Sequence, residues 1–164
     1  MGSLIPEEAL ATIGTVVSRA TGEVRRRDWQ RWAVSVGETN PIFFDAVAAR
    51  AAGFREDCAP ALYLQYAILG VTRLEDLRAD GSSGAASGNL QFPDAPKRMA
   101  GGESWEFHDH AYHGDEITSE RTVRSIVQKQ GRSGPFVLVT WRATYVNQHG
   151  AMLAFADTSM IARP

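Results

Sequence analysis

Between Val137 and Tyr145 the chain alternates with period two: Val137, Val139, Trp141, Ala143 and Tyr145 on one side, Thr140, Arg142 and Thr144 on the other. That pattern fits a strand with one face buried and one wetted. Asn147-Gln148-His149-Gly150 follows as a hairpin turn, and Met152–Ile161 returns as the next strand. Upstream, Met99–His108 and Glu116–Gln128 read as two more strands. The second of these joins the alternating run through Lys129-Gln130-Gly131-Arg132-Ser133-Gly134. This link is a hairpin connection, because it lacks the strand-to-helix context and the lysine of a phosphate-binding loop. From Lys97 onward, then, the sequence predicts an antiparallel meander, and its apolar face needs a cover.

The first half reads as helical and supplies that cover. Trp29, Trp32, Ala33 and Val36 recur at i, i+3, i+4 and i+7 within Arg26–Val36, and the pattern stops at Gly37. Asp45–Ala52 is Ala-rich and ends at Gly53, the residue expected at a helix C-terminus. Ala61–Leu69 follows Pro60, is apolar almost all round, and is expected to be buried on every side. Val71–Arg78 is expected to form one more short helix, and the small-residue stretch 81–89 a loop between the helical and strand-rich halves. The predicted fold class is α+β, an antiparallel sheet wrapped around a central helix, in one domain over residues 1–164.

Composition narrows the function. A net charge of −2 gives no electrostatic case for nucleic acid or an anionic membrane. The triplet Arg25-Arg26-Arg27 has acids nearby and reads as a solvated helix start. No run approaches the roughly 20 apolar residues that span a bilayer. The first ten residues carry Glu7 and Glu8 and no apolar core, so no signal peptide is expected. Cys58 is the single cysteine; it reads as a buried, inert thiol and fits a reducing cytoplasm.

The segment Gly37-Glu38-Thr39-Asn40-Pro41-Ile42-Phe43-Phe44-Asp45 is the chemically informative one. With it go Ile13-Gly14-Thr15-Val16-Val17, Arg27-Asp28-Trp29-Gln30-Arg31-Trp32-Ala33, Ala59-Pro60, Gly101-Gly102, Trp105-Glu106-Phe107-His108, Gly114-Asp115 and Tyr145-Val146-Asn147-Gln148. In this order and spacing the chain resembles the MaoC-like dehydratases of the hot-dog fold, relatives of the R-specific enoyl-thioester hydratases. More narrowly, it resembles the fatty-acid-synthase type I-like N-terminal dehydratase domain family, over about residues 5–162.

The resemblance implies a 3-hydroxyacyl dehydratase or enoyl hydratase acting on an acyl-CoA or acyl-carrier-protein thioester, with no metal or cofactor. Active relatives carry a motif like G-D-x-N-P-[LIV]-H, whose Asp and His share the proton transfers. Gly37, Asn40, Pro41 and Ile42 match it, whereas Glu38 stands at the Asp position and Phe43 at the His position. Phe43 cannot carry a proton. By resemblance, the backbone N–H of Ala61 or Leu62, just after Pro60, would stabilise the thioester oxygen. Tyr63 and Tyr66 are packing residues that can also line an acyl tunnel. Gly101 and Gly102 admit either close approach of backbone or substrate, or a bulge. Trp29 and Trp32 read as core or subunit interface.

His108, His110 and His113 fall within six residues, in Phe107-His108-Asp109-His110-Ala111-Tyr112-His113-Gly114-Asp115. Three readings are open: a polar surface loop, a replacement acid/base group working with Glu38, or a metal site. Against metal, a strand here would put His108 and His110 on one face and His113 on the other. The expected protein is a cytoplasmic dimer, homomeric or paired with a hot-dog subunit carrying an intact G-D-x-N-P-x-H motif. In the leading form this chain is the subunit lacking the Asp/His pair. The alternatives are a solo enzyme using Glu38 with His108 or His110, and a non-catalytic hot-dog protein that binds an acyl or polyketide-like ligand.

Overall fold

The computed structural model describes residues 2–77, 79, 81 and 90–164. Its elements are α1 (Glu7–Leu10), β1 (Val16–Glu23), α2 (Arg26–Ser35), a 3-10 turn (Pro41–Phe43), α3 (Ala46–Ala51), α4 (Tyr63–Ala67) and a second 3-10 turn (Leu74–Asp76). The strands β2 (Lys97–Phe107), β3 (Glu116–Gly131), β4 (Gly134–Asn147) and β5 (Met152–Arg163) complete it. All five strands form one antiparallel sheet in the order β1-β3-β4-β5-β2. This is the predicted α+β architecture.

The meander forms where the alternation placed it. Thr140 of β4 pairs with Ser125 on one side and Ser159 on the other, and Gly131 faces Gly134 across the Arg132-Ser133 turn. Gly134 and Gly150 take φ of 120° and 77° at the two hairpin turns, where a Cβ would be strained. The inner positions of β4 supply both parts of the core. Tyr145 packs with Ile117, Leu153, Ala154 and Ala156 beneath Trp29, Ala59, Tyr63 and Leu64. Val137, Val139 and Trp141 pack with Val123 and Ile126 beneath Ala9, Leu90, Phe92 and Ala95.

Three expectations change. The first half is not wholly helical: Val16–Glu23 pairs with β3 and forms one edge of the sheet. The central helix is shorter than Ala61–Leu69, and it is covered on one side only. Tyr63 and Leu64 are buried, but Leu62, Tyr66 and Leu69 are exposed by 48%, 50% and 66%. The helix lies on β1, where an added Cβ at Gly22 would sit 1.8 Å from the Ala67 carbonyl oxygen. Of Val71–Arg78 only Leu74–Asp76 is helical, as a 3-10 turn, and Arg78 lies outside the described residues. The expected loop 81–89 lies outside them too, apart from Gly81. No helix among the described residues is long and apolar enough to cross a membrane.

Candidate active site

The Gly37–Asp45 loop is built by its own polar groups. α2 ends in a Schellman arrangement: Gly37 takes φ of 76°, its N–H bonds the Val34 carbonyl at 3.1 Å, and the Glu38 N–H bonds the Ala33 carbonyl at 2.9 Å. Glu38 Oε1 then accepts the N–H groups of Thr39 and Asn40, both at 2.8 Å. Asn40 Oδ1 accepts the Ile42 N–H at 3.2 Å and caps the 3-10 turn, whose first residue is Pro41. Asp45 caps α3 through the Val47 N–H at 2.7 Å. The Phe43 carbonyl is held by the buried Trp29 indole N–H at 2.9 Å and by Gln30 Nε2 at 3.5 Å. The backbone at Phe43, where the resembled motif carries its histidine, is therefore fixed from α2, and the phenyl ring there is half-buried.

The segment before α4 is the second part. Asp57 is buried and takes Arg26 in a two-point ion pair, Nε to Oδ2 at 2.6 Å and Nη2 to Oδ1 at 2.8 Å. Arg26 also reaches Glu56 at 3.3 Å. This joins the start of α2 to the chain leading into α4, so Arg26 is a structural tether and only Arg25 and Arg27 are exposed as expected of a solvated helix start. The Ala59 N–H donates to the Ala111 carbonyl at 2.8 Å, which ties the same segment to the histidine loop. The N–H groups of Ala61 and Leu62, beyond the buried Pro60, have no acceptor among the described residues.

Tyr63 begins α4. Its ring meets Trp32 edge-on at 5.9 Å and lies 5.5 Å from Tyr66. Burial pushes its hydroxyl up to about 12. Trp29 and Trp32 are core residues, as expected. Cys58 is fully buried, and burial, followed by the charge of Asp57, pushes its thiol up to about 11; it is the inert thiol that the sequence implied.

The three histidines do not lie on a strand, because β2 ends at Phe107. His108 faces Glu106 at 3.2 Å and meets the Phe155 ring edge-on at 5.1 Å. His110 meets Phe54 edge-on at 4.8 Å. His113 Nδ1 accepts the Arg26 N–H at 3.5 Å. No hydrogen bond or ion pair links Glu38 to His108 or His110 among the described residues, and no group of three His, Cys, Asp or Glu there is arranged to hold a metal. Gly101 lies at a bulge between Ala100 and Gly102, where an added Cβ would meet Ser159 Oγ at 2.6 Å.

Sequence reasoning missed the Arg26–Asp57 tether, whose partners are 31 residues apart. It also missed Gly22, which lies in a run that neither alternation nor propensity marks as a strand.

A five-stranded antiparallel sheet covered by a short helix is the hot-dog fold, which this chain shares with solved structures. The chain belongs to the FAS1-like, dehydratase domain region family, which it matches over residues 11–155. It is 29% identical over 160 residues to a probable enoyl-CoA hydratase alpha subunit of Thermomonospora curvata, with 84% of this chain and 46% of that protein aligned. The chain thus spans about half the length of that relative. It is 26% identical over 140 residues to a UPF0336 protein of Clavibacter michiganensis subsp. michiganensis, covering 85% of each.

Among solved structures it is similar to the ChsH1-ChsH2 complex of Mycobacterium tuberculosis, with a TM-score of 0.78 at 18% identity over 94% of this chain and 89% of that one. It is also similar to the R-hydratase PhaJ1 of Pseudomonas aeruginosa, with a TM-score of 0.62 at 21% identity over 92% of this chain and 81% of that one. At these identities the likeness is one of fold.

Proposed function

We propose that this chain is the subunit without the Asp/His pair in a heteromeric 3-hydroxyacyl-thioester dehydratase or enoyl-thioester hydratase. The observation that carries the reading is the Gly37–Phe43 loop. It keeps the framework of the motif through Gly37, Asn40 and Pro41, while Phe43 replaces the proton carrier and the Glu38 carboxylate serves as acceptor for the loop's own N–H groups. Family membership and the relative named as a hydratase alpha subunit support it.

In this reading the partner is a hot-dog subunit with an intact G-D-x-N-P-x-H motif. It supplies the base that takes the α-proton and the acid that handles the hydroxyl or water. This chain contributes the acyl pocket around Pro60, Ala61, Leu62 and Tyr63, with Asn40 and Pro41 holding the loop beside it and Gly101-Gly102 on the edge strand. The acyl group arrives as a thioester of coenzyme A or an acyl carrier protein. Where the pocket of this chain is used, the unbonded N–H groups of Ala61 and Leu62 are the donors for the thioester oxygen.

The test is hydration of crotonyl-CoA by the purified chain, by a hot-dog subunit with the intact motif encoded beside it, and by the two coexpressed. Activity that appears, or rises at least about tenfold, only in the coexpressed complex is the expected result. Hydration by this chain alone, abolished in Glu38→Gln or His110→Ala, would replace this reading with the solo enzyme. Tight acyl-CoA binding without turnover in either setting would replace it with the binding protein.

A further inference from the structure

Two features that the reaction does not use meet in one place. The Arg25-Arg26-Arg27 triplet and the end of the histidine loop, with Glu23 and Gln30, line a cleft of about 460 Å³. Arg26 is committed to Asp57, and Arg25 to Glu23 at 2.6 Å through Nη2. Arg27 is exposed and has no ionic partner among the described residues. His113 accepts the Arg26 N–H through Nδ1 at 3.5 Å, which leaves Nε2 to act as a donor to something else. The cleft therefore offers a free guanidinium fork, a second partly neutralised guanidinium and an imidazole donor, against the single carboxylate of Glu23. That is a donor set for an oxyanion with several acceptor oxygens.

The position of the cleft says which oxyanion. Arg26, in its lining, is ion-paired to Asp57 in the segment that leads to Pro60 and the unbonded N–H groups of Ala61 and Leu62. Gln30, on its wall, bonds the Phe43 carbonyl. A ligand anchored by an anion in this cleft can extend an arm toward α4. We propose that the Arg25–Arg27–His113 cleft binds the phosphate of the acyl group's carrier, leaving the pantetheine arm to run toward Ala61. This rests on the thioester reading for its ligand class, and it places on this chain a phosphate contact that turnover does not require.

Isothermal titration of the purified chain with coenzyme A, and with pantetheine as the phosphate-free comparison, tests the proposal without any turnover. Coenzyme A is expected to bind more tightly than pantetheine, and Arg27→Glu to weaken coenzyme A by about tenfold or more while leaving pantetheine unchanged. Arg27→Ala is expected to fall between the two, and added salt to weaken only the phosphate-bearing ligand. Arg27 is exposed, so an unchanged thermal midpoint confirms that the variants are folded. A holo-acyl-carrier-protein arm, compared with the apo form, distinguishes the two sources of phosphate; loss in Arg27→Glu with either source supports the site. Equal binding of coenzyme A and pantetheine, absence of binding to coenzyme A and holo carrier alike, or full affinity in Arg27→Glu overturns it. Arg27-dependent binding in a chain that never supports hydration leaves the site standing and removes the dehydratase reading instead.

Discussion

Cys58 and Tyr63 sit in the same stretch of chain and have the same electrostatic problem: burial disfavours their ionised forms. An unfolded thiol ionises near 8.5, whereas in the fold Cys58 is pushed up to about 11. A folded value above the unfolded one means that the native state holds its proton longer. The contribution to stability is therefore complete below about pH 8.5 and is lost as pH rises toward about 11. Wild type is expected to lose thermal stability steadily from about pH 8.5 upward. In Cys58→Ala the decline should begin only near pH 10, where unfolded tyrosine starts to ionise and Tyr63 does not. Parallel melting curves for the two proteins across that range would contradict the assignment. The lone cysteine was readable from sequence as an inert thiol because its type and context decide that much. Gly37 was readable because a helix-ending glycine acts on near neighbours, whereas Asn40 was legible only as a motif match and its capping role is seen in the fold. Asp57 was not, because its role exists only once Arg26 has folded back against it.

The seat of α4 on β1 is a contact between backbones, and Gly22 is what allows it. A methyl group there would lie 1.8 Å from the Ala67 carbonyl oxygen and 2.6 Å from its carbon, so the helix or the edge strand must move. Gly101 contrasts with it: the atom nearest an added Cβ is the Ser159 hydroxyl oxygen at 2.6 Å, although the Ser159 carbonyl carbon at 3.2 Å is also tight. In urea unfolding Gly22→Ala is expected to lose about 3 kcal/mol or to fail to fold, and Gly101→Ala only about 1 kcal/mol. Equal costs would show that α4 is not held against β1 as described. The same contact explains why β1 escaped the sequence reading. Val16–Glu23 carries polar residues on both sides and a glycine in its interior, so neither alternation nor propensity marks it; pairing with β3 makes it a strand. Strands β3, β4 and β5 were legible because their inner positions belong to the core, whereas β2 has no buried residue and only its half-buried Trp105 packs against it. The length of the central helix was overread for a related reason. Its apolar residues imply burial on every side, but the chain covers only the Tyr63–Leu64 side.

Loop, helix and sheet together form a frame in which the polar supports of the Gly37–Phe43 loop are in place. The Phe43 carbonyl is still fixed by Trp29 and Gln30, the 3-10 turn is still capped by Asn40, and the N–H groups after Pro60 still lack an acceptor among the described residues. If that frame is the one a working motif uses, restoring two side chains should restore some function. Glu38→Asp shortens the carboxylate to the length of the motif, and Phe43→His supplies a group that titrates near neutral pH. The double variant is expected to hydrate crotonyl-CoA slowly, at a rate clearly above that of the parent chain without a partner, whereas Phe43→His alone should recover less. The wild-type Glu38 carboxylate stays turned toward the Thr39 and Asn40 N–H groups, so either single change leaves half of the proton relay missing. The readout is the fall of enoyl-thioester absorbance, with rates compared at matched thermal midpoints so that loss of fold is not mistaken for loss of chemistry. No gain in a folded double variant would mean that the loop has diverged in geometry as well as in side chains. In the proposed heteromer, this chain would then be confined to shaping the acyl pocket and holding the carrier.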